Sequence, residues 1–493
     1  MRQSIFSQLR RRFGEPVSAP TRRQFLLASL TAGTALLLSG PRPFAEPAKP
    51  NGKSVIIIGA GLAGLAAAHE LLAVGYDVKV IEARDRLGGR VLTFDKFVPG
   101  RFVEGGGEFI GRNHPTWLAY AKQFELDLLE VTESSTTMPI VIGGRRLSDR
   151  QCAKLWREMD AASKVMDADA ATVVEDEPWK TPNAHALDQL TVAAWLHRVK
   201  ASELVKSGLA AQLVSNNGVA LHIQSYLGQI AQVKGGGLER YWSDTEAFHC
   251  KGGNQRLIQK LATTIGADRI AVKMPAHSVV IKNGRVIVHY GNGRELTADD
   301  VILTAPPPVW SKIKFEPRLP VELTPQMGSN VKYLISVKNR FWKAEQMSAN
   351  SLSDSDVQFT WEPTDGQDGD APAAITAFSG GPGSEAIRAI SSAKRAVFYK
   401  KDLVKRYPSL AHNFVTSRFM DWPAAEWTRA SYSFPAPGEV TTLGPILHNG
   451  IHDKIHFAGE HTCYKFIGYM EGALSSGVLV ARRLAERDGI LKS

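Results

Sequence analysis

The sequence predicts an α/β fold. Three observations predict it. Val55–Ile58 is a continuous apolar run, as expected of a strand buried on both faces, and three spaced glycines and an alanine-rich helical stretch follow it. Met274–Pro307 reads as a strand, a turn at Asn283-Gly284, a strand, a turn at Gly291–Gly293 and a buried strand Val301–Thr304. Near the C terminus, Ile455–Ala458 is a short strand that leads through glycine-rich turns into a helix rich in small residues.

The bulk properties are compatible with two or more packed units: 44% of the 493 residues are hydrophobic and 22% are charged. Residues 1–50 carry eight Lys and Arg against two acids and so supply +6 of the net +10, leaving a mild +4 on the rest. No basic run is interleaved with aromatics, which argues against nucleic acid as a partner. Cys152, Cys250 and Cys463 are far apart and form no C-x-x-C pair, so neither a zinc site nor a disulfide framework is expected, and no metal is assigned. A single bridge stays open.

The N-terminal segment has the form of an address. Arg22 and Arg23 precede Gln24, Phe25 and Leu26, and a modest apolar run ends near Leu38, diluted by Ser29, Thr31, Gly33 and Thr34. The run is too short to span a bilayer comfortably. It resembles a twin-arginine (Tat) export signal, which is read by a receptor. The resemblance implies that residues 1–48 are signal and linker, with cleavage around Ala45–Ala48. It also implies the Tat machinery as a partner and a periplasmic or secreted destination. That route carries folded proteins, so it favours a redox cofactor inserted before export; an uncleaved membrane anchor or a chance arginine pair is the alternative.

Gly59, Gly61 and Gly64 form G-x-G-x-x-G between the first strand and the helix Leu62–Ala73. Gly59 permits the tight turn, Gly61 lets the backbone approach a pyrophosphate, and Gly64 lets helix and strand pack closely. The helix start at Leu62 and Ala63 offers free N–H groups and a positive dipole end to phosphates. The next strand, Asp77–Glu82, ends in an acid that can accept bonds from ribose hydroxyls. Beyond it, Ala83 leads into Arg84, Gly88, Gly89 and Arg90; the glycines allow a second backbone approach and the arginines can neutralise phosphates bidentately. Gly105 and Gly106, in Phe102–Gly111, allow a third.

The continuation E-x-R-x-x-x-G-G-R from Glu82 to Arg90, F-A-G-E at Phe457–Glu460 and G-Y-M-E-G-A at Gly468–Ala473 together resemble the FAD-binding flavin amine oxidase family: monoamine oxidases, polyamine oxidases and L-amino acid oxidases. The resemblance implies a Rossmann-like FAD-binding domain from residues 50–112, 246–318 and 428–493, and an α+β substrate-binding domain from 113–245 and 319–427. Lys251–Ala262 resembles the segment that reopens the FAD domain. By the same resemblance the Ala276 backbone holds the adenine. Gly459-Glu460 lies by the ribityl–pyrophosphate region, and Met470 meets the flavin's pyrimidine end. Ser431 stands where mammalian monoamine oxidases carry a flavin-linked cysteine, so the FAD is expected to be non-covalent. Within the substrate domain, His114–Leu129 has helical apolar spacing, Asp167–His185 reads as an acidic loop and Glu362–Ala374 as a turn-rich surface loop.

Lys332 sits in the middle of the apolar strand Met327–Val337. By itself this reads as an edge-strand charge reaching for water or as a cation kept for chemistry. Alternation puts Lys332, Leu334 and Ser336 on one face and Val331, Tyr333 and Ile335 on the other, with Lys338 beyond them in solvent. The family places a lysine on such a strand, followed by an F-W pair, here Phe341-Trp342. The resemblance implies that Lys332 reaches a water beside flavin N5, where a positive charge stabilises the developing superoxide-like anion. It also implies an aromatic pair, Tyr432 and Tyr469, that guides the amine. Glu108 and Trp342 are candidate substrate contacts, Glu108 as an acid that attracts a cationic amine or as one bonded to backbone near the cofactor. Arg112 is displaced from the place where amino acid oxidases clamp a carboxylate. The implied activity is oxidative deamination of a primary or biogenic amine with O2 as acceptor. An L-amino acid oxidase, a dehydrogenase using a periplasmic acceptor and a non-catalytic FAD-bound assembly protein are the alternatives; oligomeric state is left open.

Overall fold

The computed structural model describes residues 5–14, 38, 49–132 and 136–491. The twin-arginine pair and the stretch around Ala45–Ala48 lie outside them. A five-stranded parallel sheet runs in the order Ile455–Phe457, Asp300–Leu303, Ser54–Ile58, Asp77–Ile81, Ile270–Ala271. Its strands come from three parts of the chain, and Val55–Ile58 and Val301–Leu303 are buried, which is why they read as unbroken apolar runs; Ile455–Phe457 is buried as well, with His456 bonded to Asp300 (3.1 Å). The helices Leu62–Ala73 and Met470–Arg487 pack together on one face. Small residues allow it: a side chain at Gly477 would strike the Ala63 carbonyl oxygen. Arg294–Ala298, Arg285–Tyr290, Ala276–Lys282 and Lys314–Glu316 form a second sheet.

The Asn283-Gly284 turn forms with both residues at positive φ, as a two-residue hairpin turn requires. Past Gly291–Gly293 the chain makes one strand more than expected, Arg294–Ala298, before the buried strand. Its alternating polar residues conceal it. The helical pattern of His114–Leu129 also overran. The helix is Pro115–Gln123; Glu125 takes a left-handed φ, and Leu128–Glu130 leaves to pair with Phe248–Cys250. Conversely, Asp167–Ala171 is not loop but the last turn of the long helix Asp149–Ala171, which a Ser148–Gln151 capping box starts.

The third sheet has seven strands, ordered Phe414–Asp421, Asn330–Val337, Ala373–Gly380, Phe359–Trp361, Ser351–Ser353, Ile140–Ile142, Arg145–Arg146. Helices Asp149–Ala171, Glu203–Asn217 and Tyr226–Gly235 pack beside it around one apolar core. Asn330–Val337 pairs antiparallel on both sides, with Lys332 opposite Phe378 and Met420. Lys332 is therefore not an edge charge. Lys338, just past the strand, is exposed. Cys152, Cys250 and Cys463 are buried free thiols.

Candidate active site

A cavity runs from the C-terminal ends of the parallel strands to the helices and large sheet of the other half. Gly59, Gly61, Leu62, Ala63, Glu82, Ala83, Arg84, Gly89, Arg90, Gly106, Glu108, Ala276, Lys332, Tyr432, Gly459, Glu460, Tyr469 and Met470 all line it. Gly64, Gly105 and Trp342 do not.

At the nucleotide end each glycine of the fingerprint has its own geometry. Gly59 has φ +115, a conformation that a side chain disfavours. A Cβ at Gly64 would strike the Gly59 carbonyl oxygen, so this glycine serves helix–strand packing and not the cavity. A Cβ at Gly61 would meet nothing within 4 Å, although the residue faces the cavity and caps the helix Leu62–Ala73. That open cradle at a helix N-terminus with no side-chain cap fits a pyrophosphate. Glu82 is buried and pins the turn, its carboxylate accepting from Ala60 N (2.9 Å) and Arg84 N (2.9 Å). Each oxygen retains a lone pair for a ribose hydroxyl.

The arginines are more committed than the sequence suggests. Arg90 Nη1 donates to Glu460 Oε1 and to the Ser431 carbonyl, both at 2.8 Å, and Arg84 binds the Thr428 hydroxyl. Glu460 also accepts from the Ser433 hydroxyl (2.6 Å) and Gly468 N (2.9 Å). Burial alone would raise its pKa, but Arg90, His461 and the Ser433 hydroxyl more than offset this and lower it. Glu460 thus acts as a fixed anion that ties together Arg90, the Ser431–Ser433 segment and the turn before Met470. Gly105 packs on the Phe94 ring instead of the cavity. Gly106 lines the cavity, but it is kept small by the Arg90 carbonyl that a side chain would strike.

Lys332 is buried, and its ammonium donates to Gly106 O (2.7 Å), Glu104 O (3.2 Å) and Glu108 Oε2 (2.7 Å). The Trp361 ring lies 5.4 Å away, and Trp361 Nε1 donates to the other Glu108 oxygen at 2.8 Å. Glu108 is therefore neither an open anchor for a substrate amine nor an acid bonded to backbone. It is the counter-ion of Lys332. Trp342 is also corrected: it packs with Val331, Tyr333, Ile335 and Val337 in the core on the opposite sheet face from Lys332. Strand alternation sends the two sides of the Lys332 strand to different surroundings, and the F-W pair follows the apolar one.

Sequence reasoning missed Trp361, Glu104 and Asn254. Asn254 Nδ2 donates to Gly107 O (3.0 Å) and Glu108 O (2.8 Å), which fixes the glycine loop under Lys332. Glu104 accepts from Asn254 N (2.7 Å) and the Thr93 hydroxyl (3.1 Å), yet burial pushes its carboxyl up to about 8. No local signal marks these residues. The folded chain keeps the Glu104 proton until about pH 8 while the unfolded chain releases it near 4.5. Its contribution is therefore fully present below about pH 4.5 and lost as pH rises through about 8. We expect the melting temperature to fall more steeply across this window in the wild type than in Glu104→Gln; equal slopes in the two proteins would rule this out.

Tyr432 and Tyr469 are held in the cavity wall. The Tyr432 hydroxyl donates to Ser215 O at 3.2 Å, and the His114 ring meets Tyr469 edge-on at 5.5 Å. Burial raises both phenol pKa values, with the Glu460 charge adding for Tyr432 and the neighbouring tyrosines for Tyr469, so both stay neutral. The remaining wall brings in Phe109, Trp361 and Phe378 with Asn216, Asn217, Gln232 and Glu246.

Residues 62–485 match the family described as flavin containing amine oxidoreductase. The chain belongs to this family. It is an FAD-dependent amine oxidase, and the cradle at Gly61 fits that cofactor. It is 27% identical over 464 residues to human amine oxidase [flavin-containing] B, covering 88% of this chain and 86% of that protein. It is 28% identical over 471 residues to the dog amine oxidase B, with the same two coverages. Among solved structures, cyclohexylamine oxidase from Brevibacterium oxydans IH-35A superposes with TM-score 0.80 at 28% identity, covering 88% of this chain and 99% of that one. A putrescine oxidase triple mutant superposes at 0.81 with 24% identity and the same coverages, a likeness of fold.

Proposed function

We propose that the protein oxidises a primary or biogenic amine: R–CH2–NH2, O2 and water give R–CHO, ammonia and H2O2. Bound FAD, here non-covalent because Ser431 offers no thiol, supplies the hydride acceptor that O2 regenerates. The chain's residues do the rest. Neutral Tyr432 and Tyr469 flank the amine, exclude water and orient its nitrogen. Lys332 supplies a fixed positive charge for oxygen reduction.

One observation favours an amine over an L-amino acid. Among the described residues lining the cavity the cations are Arg84, Arg90, Lys312 and Lys332, and each is already engaged. Arg84 faces Glu82 (3.8 Å), Arg90 pairs with Glu460 (2.8 Å), Lys312 with Glu426 (3.0 Å) and Lys332 with Glu108 (2.7 Å). Arg112 does not line the cavity and pairs with Glu130. A substrate carboxylate would find no uncommitted clamp. Anaerobic mixing with tyramine, phenethylamine, putrescine or spermidine is expected to bleach the yellow protein, with colour returning in air. Bleaching by L-amino acids alone would overturn this reading.

We also read the protein as exported folded by the twin-arginine route to the periplasm or beyond. Arg22→Lys with Arg23→Lys is expected to trap it in the cytoplasm, and normal export of that variant would remove the reading.

A further inference from the structure

The helix Ile5–Phe13 lies ahead of the twin-arginine pair, where an address needs only charge. Its apolar residues instead repeat at helical spacing, and it is seated on the folded body. Phe6 and Leu9 are 4% and 3% exposed. The Phe6 ring meets Trp242 at 4.8 Å and Trp156 edge-on at 6.0 Å. Phe13 packs against the same core. Around this apolar contact Arg10 pairs with Glu239 and Arg12 with Asp149, both at 2.8 Å, and the Ser7 hydroxyl donates to Ser243 O at 3.2 Å. Arg10, Arg11 and Arg12 also occupy the last turn, where cations suit the helix dipole.

We propose that the surface formed by the helix Asp149–Ala171 and by Glu239–Asp244 is a docking site for the chain's own N-terminal helix, which acts as a clasp on the export leader. The leader is then tied at both ends: at Phe13 by the clasp, and at Asn51, whose backbone and side chain bond Gly75 O and Val74 O. Arg22 and Arg23 follow Phe13 by nine and ten residues, a chain reach of at most about 36 Å from the seat. Opening the clasp exposes Trp156 and Trp242 and frees the leader. The regulatory half of this proposal rests on the export reading above; the docking does not.

Hydrogen–deuterium exchange on the purified full chain tests the docking. Amides of Ile5–Phe13 are expected to exchange at least about tenfold slower in the wild type than in Phe6→Asp/Leu9→Asp, and in Phe6→Ser/Leu9→Ser, whose bodies melt normally. Unprotected amides in the wild type, or equal protection in both variants, would overturn the docking. In cells, Phe6→Asp/Leu9→Asp is expected to convert to the leader-free form at least about twofold faster. An unchanged or slower conversion, with the clasp shown by exchange, would overturn its control of export. If neither protein is exported while the helix is protected, the export reading and the regulatory half fail and the docking stands.

Discussion

Replacing Lys332 by Met is expected to leave FAD bound and to slow its reoxidation by oxygen on the order of 10²–10³-fold, the scale for removing one preorganised charge from a buried site. The side chains have similar volume, so packing survives. The ion pair does not. Glu108 would be left buried beside Met, and an uncompensated buried carboxylate costs about 3–5 kcal/mol. Stability and chemistry therefore change together in the single variant, and a second substitution separates them. In Lys332→Met/Glu108→Gln the carboxylate is gone while the amide oxygen still accepts from Trp361 Nε1. Most of the stability is expected to return and the reoxidation rate is not. Stopped-flow mixing of reduced protein with oxygen, beside thermal melts, reads both. Unchanged reoxidation in both variants would make Lys332 a structural cation that clamps Glu104–Glu108.

Gly61→Val is expected to yield a folded, colourless protein with FAD affinity lowered by at least about a hundredfold, equivalent to about 2.7 kcal/mol or more. The backbone at Gly61 has φ −80 and ψ −175, which valine tolerates, and the added Cβ meets no protein atom within 4 Å. The only space it removes is that of the cavity. Gly64→Val is the contrasting case, because its side chain would strike the Gly59 carbonyl oxygen and the helix would have to leave the strand. Loss of folding is expected there, and loss of cofactor alone at Gly61. Circular dichroism with flavin absorbance separates the outcomes. A yellow Gly61→Val protein of normal affinity would undo the fingerprint assignment.

The neutral phenols and the committed cations also explain how one cavity serves both partners. Charge is concentrated at Glu460–Arg90 and Glu108–Lys332, in closed pairs. Elsewhere the wall is largely aromatic and amide, with the Glu246 carboxyl beside Asn216, Asn217 and Gln232. An incoming amine therefore meets rings and dipoles as well as that acid, and the two phenols stay neutral because burial raises their pKa values.

Much of this was legible before folding, because the responsible physics is local. The positive φ of Gly59, the open cap at Gly61, the acid after Ile81 and the apolar runs of strands buried on both faces are properties of a few consecutive residues. The sequence by itself therefore determined the parallel-sheet unit, its nucleotide end and the membership that follows from them. Local reading also set its own limits. It ran the helix at His114 past Gln123 because apolar spacing continues where the backbone turns at Glu125. It missed Arg294–Ala298 because an outward-facing strand looks like a turn. What only the tertiary structure decided is the state of the chemistry-bearing groups. Glu108 and Lys332 are 224 residues apart, and Glu108 and Trp361 are 253 apart, so no window of sequence contains their pairing. Whether a carboxylate anchors substrate or neutralises a lysine depends on what lies within 3 Å. That in turn is settled by which sheet face each strand presents, by which loop the Asn254 amide pins beneath it, and by burial deep enough that an unpaired charge there could not be tolerated.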